Sequence, residues 1–282
     1  MTDQALLDRI VSALTPVPGV AAIVLGGSRA IGTHHQGSDY DIGLYYRPEN
    51  PVDTAALAEA VAGLDDRGSG EAVTRIGEWG PWINGGAWLS IEGRPVDLLY
   101  RDLGKVEHCL AQALEGRFET AYQSGHPHAF TSAHYLGEAA LCRPLHDPGG
   151  LVARLKQRLD PYPEALRAAL MQRFGWEVGF ALMTGAKGAK HGDVAYVAGS
   201  LWRATACLCQ TLFALNRTWL INEKGAVAAA ARLLIAPADF QTRIEAAMGR
   251  LKPGQLGDAL AILEELDREV QALRGGSEVL TA

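Results

Sequence analysis

The sequence predicts an α+β protein: an N-terminal part that mixes strands and helices, followed by a C-terminal helical bundle. Two observations carry this. Up to residue 148, short apolar or alternating runs of strand length are interspersed with amphipathic helical stretches. From residue 149 onward almost every stretch repeats its apolar residues at helical spacing. The turn-rich segment LHDPGG at 145–150 links the two, so the expected domains are 1–148 and 149–282.

The elements follow in order. Residues 3–14 place Leu6, Leu7, Ile10, Val11 and Leu14 on one helical face. VAAIVLG at 20–26 is an apolar run suited to a buried strand. DIGLYY at 41–46 is a second strand, stopped by Pro48 and Pro51. Residues 54–64 read as a helix with Asp53 or Thr54 as its N-cap. GGAWLSIEGRPVDLLYRD at 85–102 reads as a hairpin turning at Glu92-Gly93. Alternation in its second strand puts Val96, Leu98 and Tyr100 on one face and Asp97 with Leu99 on the other. Farther on, the stretches 165–186, 193–217, 224–235 and 256–273 supply four or five helices.

Composition narrows the function classes. The 282 residues are 48% apolar, enough for a sizeable core, and no apolar run is long enough to suggest a membrane span. The N-terminus is acidic and amphipathic, unlike a signal peptide. Cys109, Cys142, Cys207 and Cys209 show no disulfide or zinc spacing, and Cys207 and Cys209 are expected on different helix faces. Reduced packing thiols in a cytoplasmic protein are the expectation. The formal net charge is −6, with no basic stripe, which argues against a long nucleic acid and favours a small or cationic substrate.

The most informative stretch is GGSRAIGTHHQGSDYDIGLYY, Gly26 to Tyr46. A P-loop would need a lysine where Thr33 stands, and Gly26, Gly27 and Gly32 do not give the dinucleotide spacing. A bland strand-to-helix turn remains open. The fourth reading uses the whole stretch: a strand ends at Gly26-Gly27, Ser28 caps a short helical turn, and Asp39 and Asp41 follow ten residues later. Residues i and i+2 of a strand face the same way, so the two carboxylates can address one point. Such oxygen ligands suit Mg²⁺, which takes its remaining ligands from water and substrate phosphates. The glycine turn and the Ser28 hydroxyl offer a cradle for those phosphates.

Leu25-Gly26-Gly27-Ser28, ten residues, then Asp39-Tyr40-Asp41-Ile42 resembles the signature of the DNA polymerase beta-like nucleotidyltransferase superfamily. Asp97 in GRPVDLLYRD matches its third carboxylate, as metal ligand or general base. The resemblance extends to small-molecule members such as the aminoglycoside adenylyltransferases, in which a lysine opens the helix after a long one. Lys224 in NEKGAV matches that lysine. It implies a small mixed sheet flanked by helices, a catalytic domain at 1–148 and a helical substrate- and nucleotide-binding domain at 149–282. It also implies Asp39, Asp41 and Asp97 as catalytic metal ligands for two Mg²⁺ ions, and ATP or another nucleoside triphosphate held by Gly27, Ser28, Arg29 and Lys224. The acceptor would be a small hydroxylated molecule between the domains, with AMP transferred and pyrophosphate released. Transfer to a protein hydroxyl, or nucleotide binding without turnover, are the alternatives.

Each residue has a plainer reading as well. Ser28 can be a helix cap only, Arg29 a solvated cation, Asp97 the partner of Arg94 or Arg101, and Lys224 the partner of Glu223. His34 and His35 read as surface or substrate-rim residues. Trp79, Trp82 and Trp88 read as core, with an aromatic wall as the other option. Asp193 and Arg203 either reach the cleft or pair across helices.

Overall fold

In the computed structural model, which describes residues 2–279, the chain forms two compact units. The first comprises Met1–Gln112 with Glu119–Pro161, and the second Ala113–Phe118 with Tyr162–Ala282.

The first unit begins with α1 (Asp3–Leu14), capped by the Thr2 side chain, then β1 (Ala22–Leu25), a one-turn α2 (Gly27–Ala30), β2 (Tyr40–Tyr46) and α3 (Thr54–Ala62). Asp53 caps α3 by accepting from the N–H groups of Ala55 and Ala56. The hairpin β3 (Gly86–Ile91) and β4 (Arg94–Asp102) follows, then α4 (Leu103–Leu114), whose last two residues fall in the second unit. A two-stranded ribbon of β5 (Thr120–Ala121) and β6 (Phe130–Thr131) precedes α5 (Ser132–Leu141), β7 (Arg143–His146) and α6 (Leu151–Leu159).

The main sheet has the order β3-β4-β2-β1-β7. Only β2 and β4 pair in parallel; the other pairs are antiparallel, so the sheet is mixed. One face of it is sealed by α1 and α3. Leu6, Ile10 and Leu14 of α1 and Leu57 and Val61 of α3 bury with Ile42, Leu44, Leu89, Val96 and Leu98. Burial at this level stabilises by about 1.5–3 kcal/mol per large apolar side chain. That face takes the even residues of β2 and β4, so their odd residues face the other way.

The hairpin register is locked by Asp66. Its carboxylate accepts from Ser90 Oγ at 2.6 Å and from the Glu92 and Gly93 N–H groups at 2.8 Å each. Glu92 and Gly93 both have positive φ, as the tight two-residue hairpin turn requires.

The second unit is helical: α7 (Glu164–Lys190), α8 (Val194–Leu215), α9 (Ala226–Ala230), α10 (Phe240–Met248) and α11 (Leu256–Val279). Asp193 caps α8 by accepting from Tyr196 N–H, and Arg203 pairs with Glu177 of α7, so both serve the helices. Cys207 and Cys209 are both buried, because α8 is covered on all sides from Cys207 to Leu215. Spacing two apart separates faces only on a helix with an exposed side. The helix expected over 224–235 is short, ending at Ala230, beyond which Leu234 is exposed. Among the described residues no helix is long and apolar enough to cross a membrane.

Candidate active site on the open end of the sheet

The odd-residue face is closed at one end and open at the other. At the closed end, Arg101 of β4 is buried and forks onto Glu138 of α5, with Nε and Nη2 donating at 2.6 and 3.0 Å. Burial opposes the Arg101 charge, but the Glu138 carboxylate outweighs it and holds the guanidinium's pKa above its ordinary value. Tyr45 is buried nearby. Toward the start of β2 and β4, Asp41 and Asp97 are only half-buried.

Three pairings bring a row of residues together there. β1 runs antiparallel to β2, so Leu25 sits beside Ile42 and the chain leaves β1 over Asp41. Gly26 N–H donates to the Asp41 carbonyl at 2.7 Å. The parallel β2–β4 register pairs Asp41 with Asp97, and the hairpin register pairs Asp97 with Trp88. Gly26, Asp41, Asp97 and Trp88 thus lie side by side across four strands, each about 4.8 Å from the next.

Gly27 is there because nothing larger fits. A Cβ on it would fall 1.8 Å from Asp41 Oδ2, and its φ is +58°. The glycine turn therefore lies directly on the Asp41 carboxylate. Ser28 is not the cap of α2. Gly26 occupies that position, and Ser28 is the second residue inside the turn, where its carbonyl accepts from Thr33 N–H at 3.0 Å. The left-handed Gly27 starts the turn early.

Arg29 faces inward. Its Nε and Nη2 donate to the Ser38 carbonyl at 3.1 and 2.9 Å, and Nε also to the Asp39 carbonyl at 3.2 Å. Nη1 pairs with Asp3 at 3.0 Å, and the guanidinium lies over the Tyr40 ring. The side chain is 7% exposed. Arg29 therefore fastens the segment that carries Asp39 to α1.

Asp39 is exposed in that segment, just before β2. Among the described residues no three His, Cys, Asp or Glu side chains stand as a group able to hold an ion. Asp41 and Asp97 are brought together by register, and Asp39 is not drawn to them as a third. His34 and His35 are exposed, and His35 Nδ1 accepts from Gly37 N–H at 3.2 Å. Lys224 belongs to the second unit, exposed in the turn before α9, with its N–H donating to Asn222 Oδ1 at 2.9 Å.

The tryptophans divide. Trp82 is buried against Phe130 and Tyr135, with Lys105 over its ring. Trp88 is 61% exposed and stacks on Trp79, centroids 4.4 Å apart and rings inclined by 17°. Its place beside Asp97 was computable from the sequence. A two-residue turn at Glu92-Gly93 pairs Ile91 with Arg94, and counting back pairs Trp88 with Asp97.

Two carboxylates in register on neighbouring strands repel one another and favour a cation between them. All-oxygen donors suit a hard divalent cation, which needs only one or two protein carboxylates when substrate phosphates complete its shell. Gly27, with no side chain, is what lets the backbone of the turn come this close to the Asp41 carboxylate.

Part of the chain is similar to a known family. Residues 7–105 match the family model described as "Nucleotidyltransferase domain", a span that holds Gly26–Ser28, Asp39, Asp41 and Asp97. The chain carries a nucleotidyltransferase domain. Domains of this kind use a nucleoside triphosphate and a divalent metal, and the Asp41–Asp97 pair with the glycine turn fits that pair of ligands. Residues 130–224 match a domain of unknown function (DUF4037), which runs from β6 through α8 to Lys224. No curated protein matches the chain. Among solved structures, a nucleotidyltransferase-like protein from Exiguobacterium sibiricum 255-15 aligns at 11% identity with a TM-score of 0.44, over 98% of this chain and 78% of that one. Of the site residues expected from the sequence, Lys224 lies outside the matched span 7–105.

Proposed function

We infer that the protein transfers a nucleoside monophosphate, AMP from ATP with Mg²⁺, to a hydroxyl of a small molecule. The observation that carries this reading is the in-register pairing of Asp41 with Asp97 against the Gly26-Gly27 turn. Asp41 and Asp97 would hold the divalent cation, which when bound neutralises phosphate charge and stabilises the attacking and leaving oxygens. The Gly26–Ser28 turn receives the phosphates beside Asp41. Arg29 keeps the Asp39 segment in place, so that Asp39 can join when the nucleotide is seated. Asp97 lies on the side away from the glycine turn, where the acceptor hydroxyl arrives and gives up its proton to the Asp97 carboxylate as general base. The hydroxyl oxygen bonds to the α-phosphorus, the α–β bridging bond breaks, and pyrophosphate takes that electron pair. The acidic chain, −6 overall, favours a small acceptor over a long nucleic acid.

The test is pyrophosphate release with ATP, Mg²⁺ and a panel of hydroxylated acceptors. Asp41→Asn and Asp97→Asn should each lower it by on the order of 10²–10⁴-fold, as loss of several kcal/mol of charge stabilisation implies. Unchanged release in either variant would sink the assignment.

A further inference from the structure

Trp88 is an unusual residue to leave in water. It is 61% exposed on a strand whose neighbours Ala87 and Leu89 are buried in the core. Its ring is not loose, because Trp79 stacks on it at 4.4 Å. Its backbone is held too: Arg67 Nη2 donates to the Trp88 carbonyl at 2.8 Å, and Arg67 is itself paired with Asp65 at 2.7 Å. A rigid, exposed, doubly supported indole face costs hydrophobic burial and offers a flat surface in return.

Its position says what the surface receives. Along the row, the glycine turn is at one end, Trp88 at the other, and the two carboxylates lie between. In an in-line displacement the leaving pyrophosphate and the attacking oxygen lie on opposite sides of the α-phosphorus. With the phosphates on the Gly27 side, the attacking oxygen comes from the Asp97 side. Trp88 is one strand beyond Asp97, about 4.8 Å away and therefore within one ring's width. We propose that the Trp79–Trp88 pair is the acceptor platform, and that the acceptor is a small aromatic or heteroaromatic ring carrying its hydroxyl on the ring or one carbon from it. Stacked face-on to Trp88, such a ring points its hydroxyl along the row toward Asp97. This rests on the nucleotidyltransferase reading, and Trp88 acts in it as a specificity residue.

The test uses the full-length protein with Mg²⁺ and a non-hydrolysable ATP analogue, and benzyl alcohol and 3-hydroxypyridine as ring probes with glycerol as the acyclic control. Binding is read from quenching of tryptophan emission and from ligand-observed NMR. The ring alcohols should bind saturably and glycerol should not. Trp88→Ala should weaken the ring probes at least tenfold, while Trp88→Phe restores most of that loss. Affinity for the ATP analogue should stay within twofold in both variants. If Trp88→Ala instead weakens the nucleotide and spares the ring alcohols, the platform belongs to the donor base and the proposal is overturned. Equal binding of ring alcohols and glycerol overturns it as well. Failure of the underlying reading looks different: Asp41→Asn and Asp97→Asn would then leave nucleotide and Mg²⁺ binding unchanged, while Trp88 still selected ring alcohols.

Discussion

Gly27 shows how a single residue sets the chemistry of this site. Its φ of +58° and the 1.8 Å approach of a hypothetical Cβ to Asp41 Oδ2 mean that any side chain there displaces the carboxylate. Left-handed backbone costs an alanine about 1–2 kcal/mol, a loss the fold can absorb. The displaced carboxylate cannot be absorbed so easily. Gly27→Ala should therefore lower the unfolding free energy by roughly that amount and reduce pyrophosphate release far more, at least about a hundredfold. Equal, small losses in both measurements would show that Asp41 has no role in the reaction. A glycine turn after β1 was legible in the sequence as one of four readings, and only the β1–β2 pairing sets it against Asp41. The direction of Arg29 was not. Its charge suggested phosphates, but its partners are the Ser38 and Asp39 carbonyls and Asp3, which the chain brings together only in three dimensions.

Among the elements, those with strong local signals were readable: α1 from its apolar face, β2 from its short apolar run stopped by Pro48, and the hairpin from Glu92-Gly93. β7, with the sequence RPLH, carries no strand signal of its own. It exists because β1 offers it an edge. α5 is likewise hard to foresee, and yet it decides where the site can be, because it closes the far end of the odd-residue face. The closure depends on Arg101 and Glu138. The Arg101 side chain is 5% exposed and that of Glu138 28%. Removing Glu138 strands a buried guanidinium, which costs about 3–5 kcal/mol for a fully buried pair and somewhat less where water can reach. Glu138→Ala should thus destabilise the protein by about 2–3 kcal/mol in denaturant unfolding. Replacing both partners together, Arg101→Met with Glu138→Leu, should recover most of the loss. A double variant no better than Glu138→Ala would show that the pair does more than satisfy its own charges.

For the whole molecule, acid sensitivity follows from a histidine far from the carboxylates in sequence and unused by the chemistry. His134 is 1% exposed in α5. Burial, reinforced by the neighbouring His126 and His128, pushes its pKa down to about 3. The neutral ring has work to do, because its Nδ1 accepts from Thr131 N–H at 3.4 Å, an acceptor that protonation removes. In the unfolded chain the same imidazole titrates near its ordinary value of about 6.5. Between that value and about 3 the unfolded chain binds one more proton than the folded one at this position, so stability rises with pH across the window. The contribution is complete above about 6.5 and is lost as the pH falls, at about 1.4 kcal/mol per unit. The two compact units need not unfold together, so a single melting curve would blend them. Protection of the α5 amides against hydrogen exchange reports the first unit alone. Protection in the natural protein should fall faster below pH 6.5 than in His134→Gln, by about that slope, and the two should run parallel above it. Parallel behaviour throughout the acid range would mean that His134 is protonated in the folded protein, and that α5 begins without the Thr131 hydrogen bond.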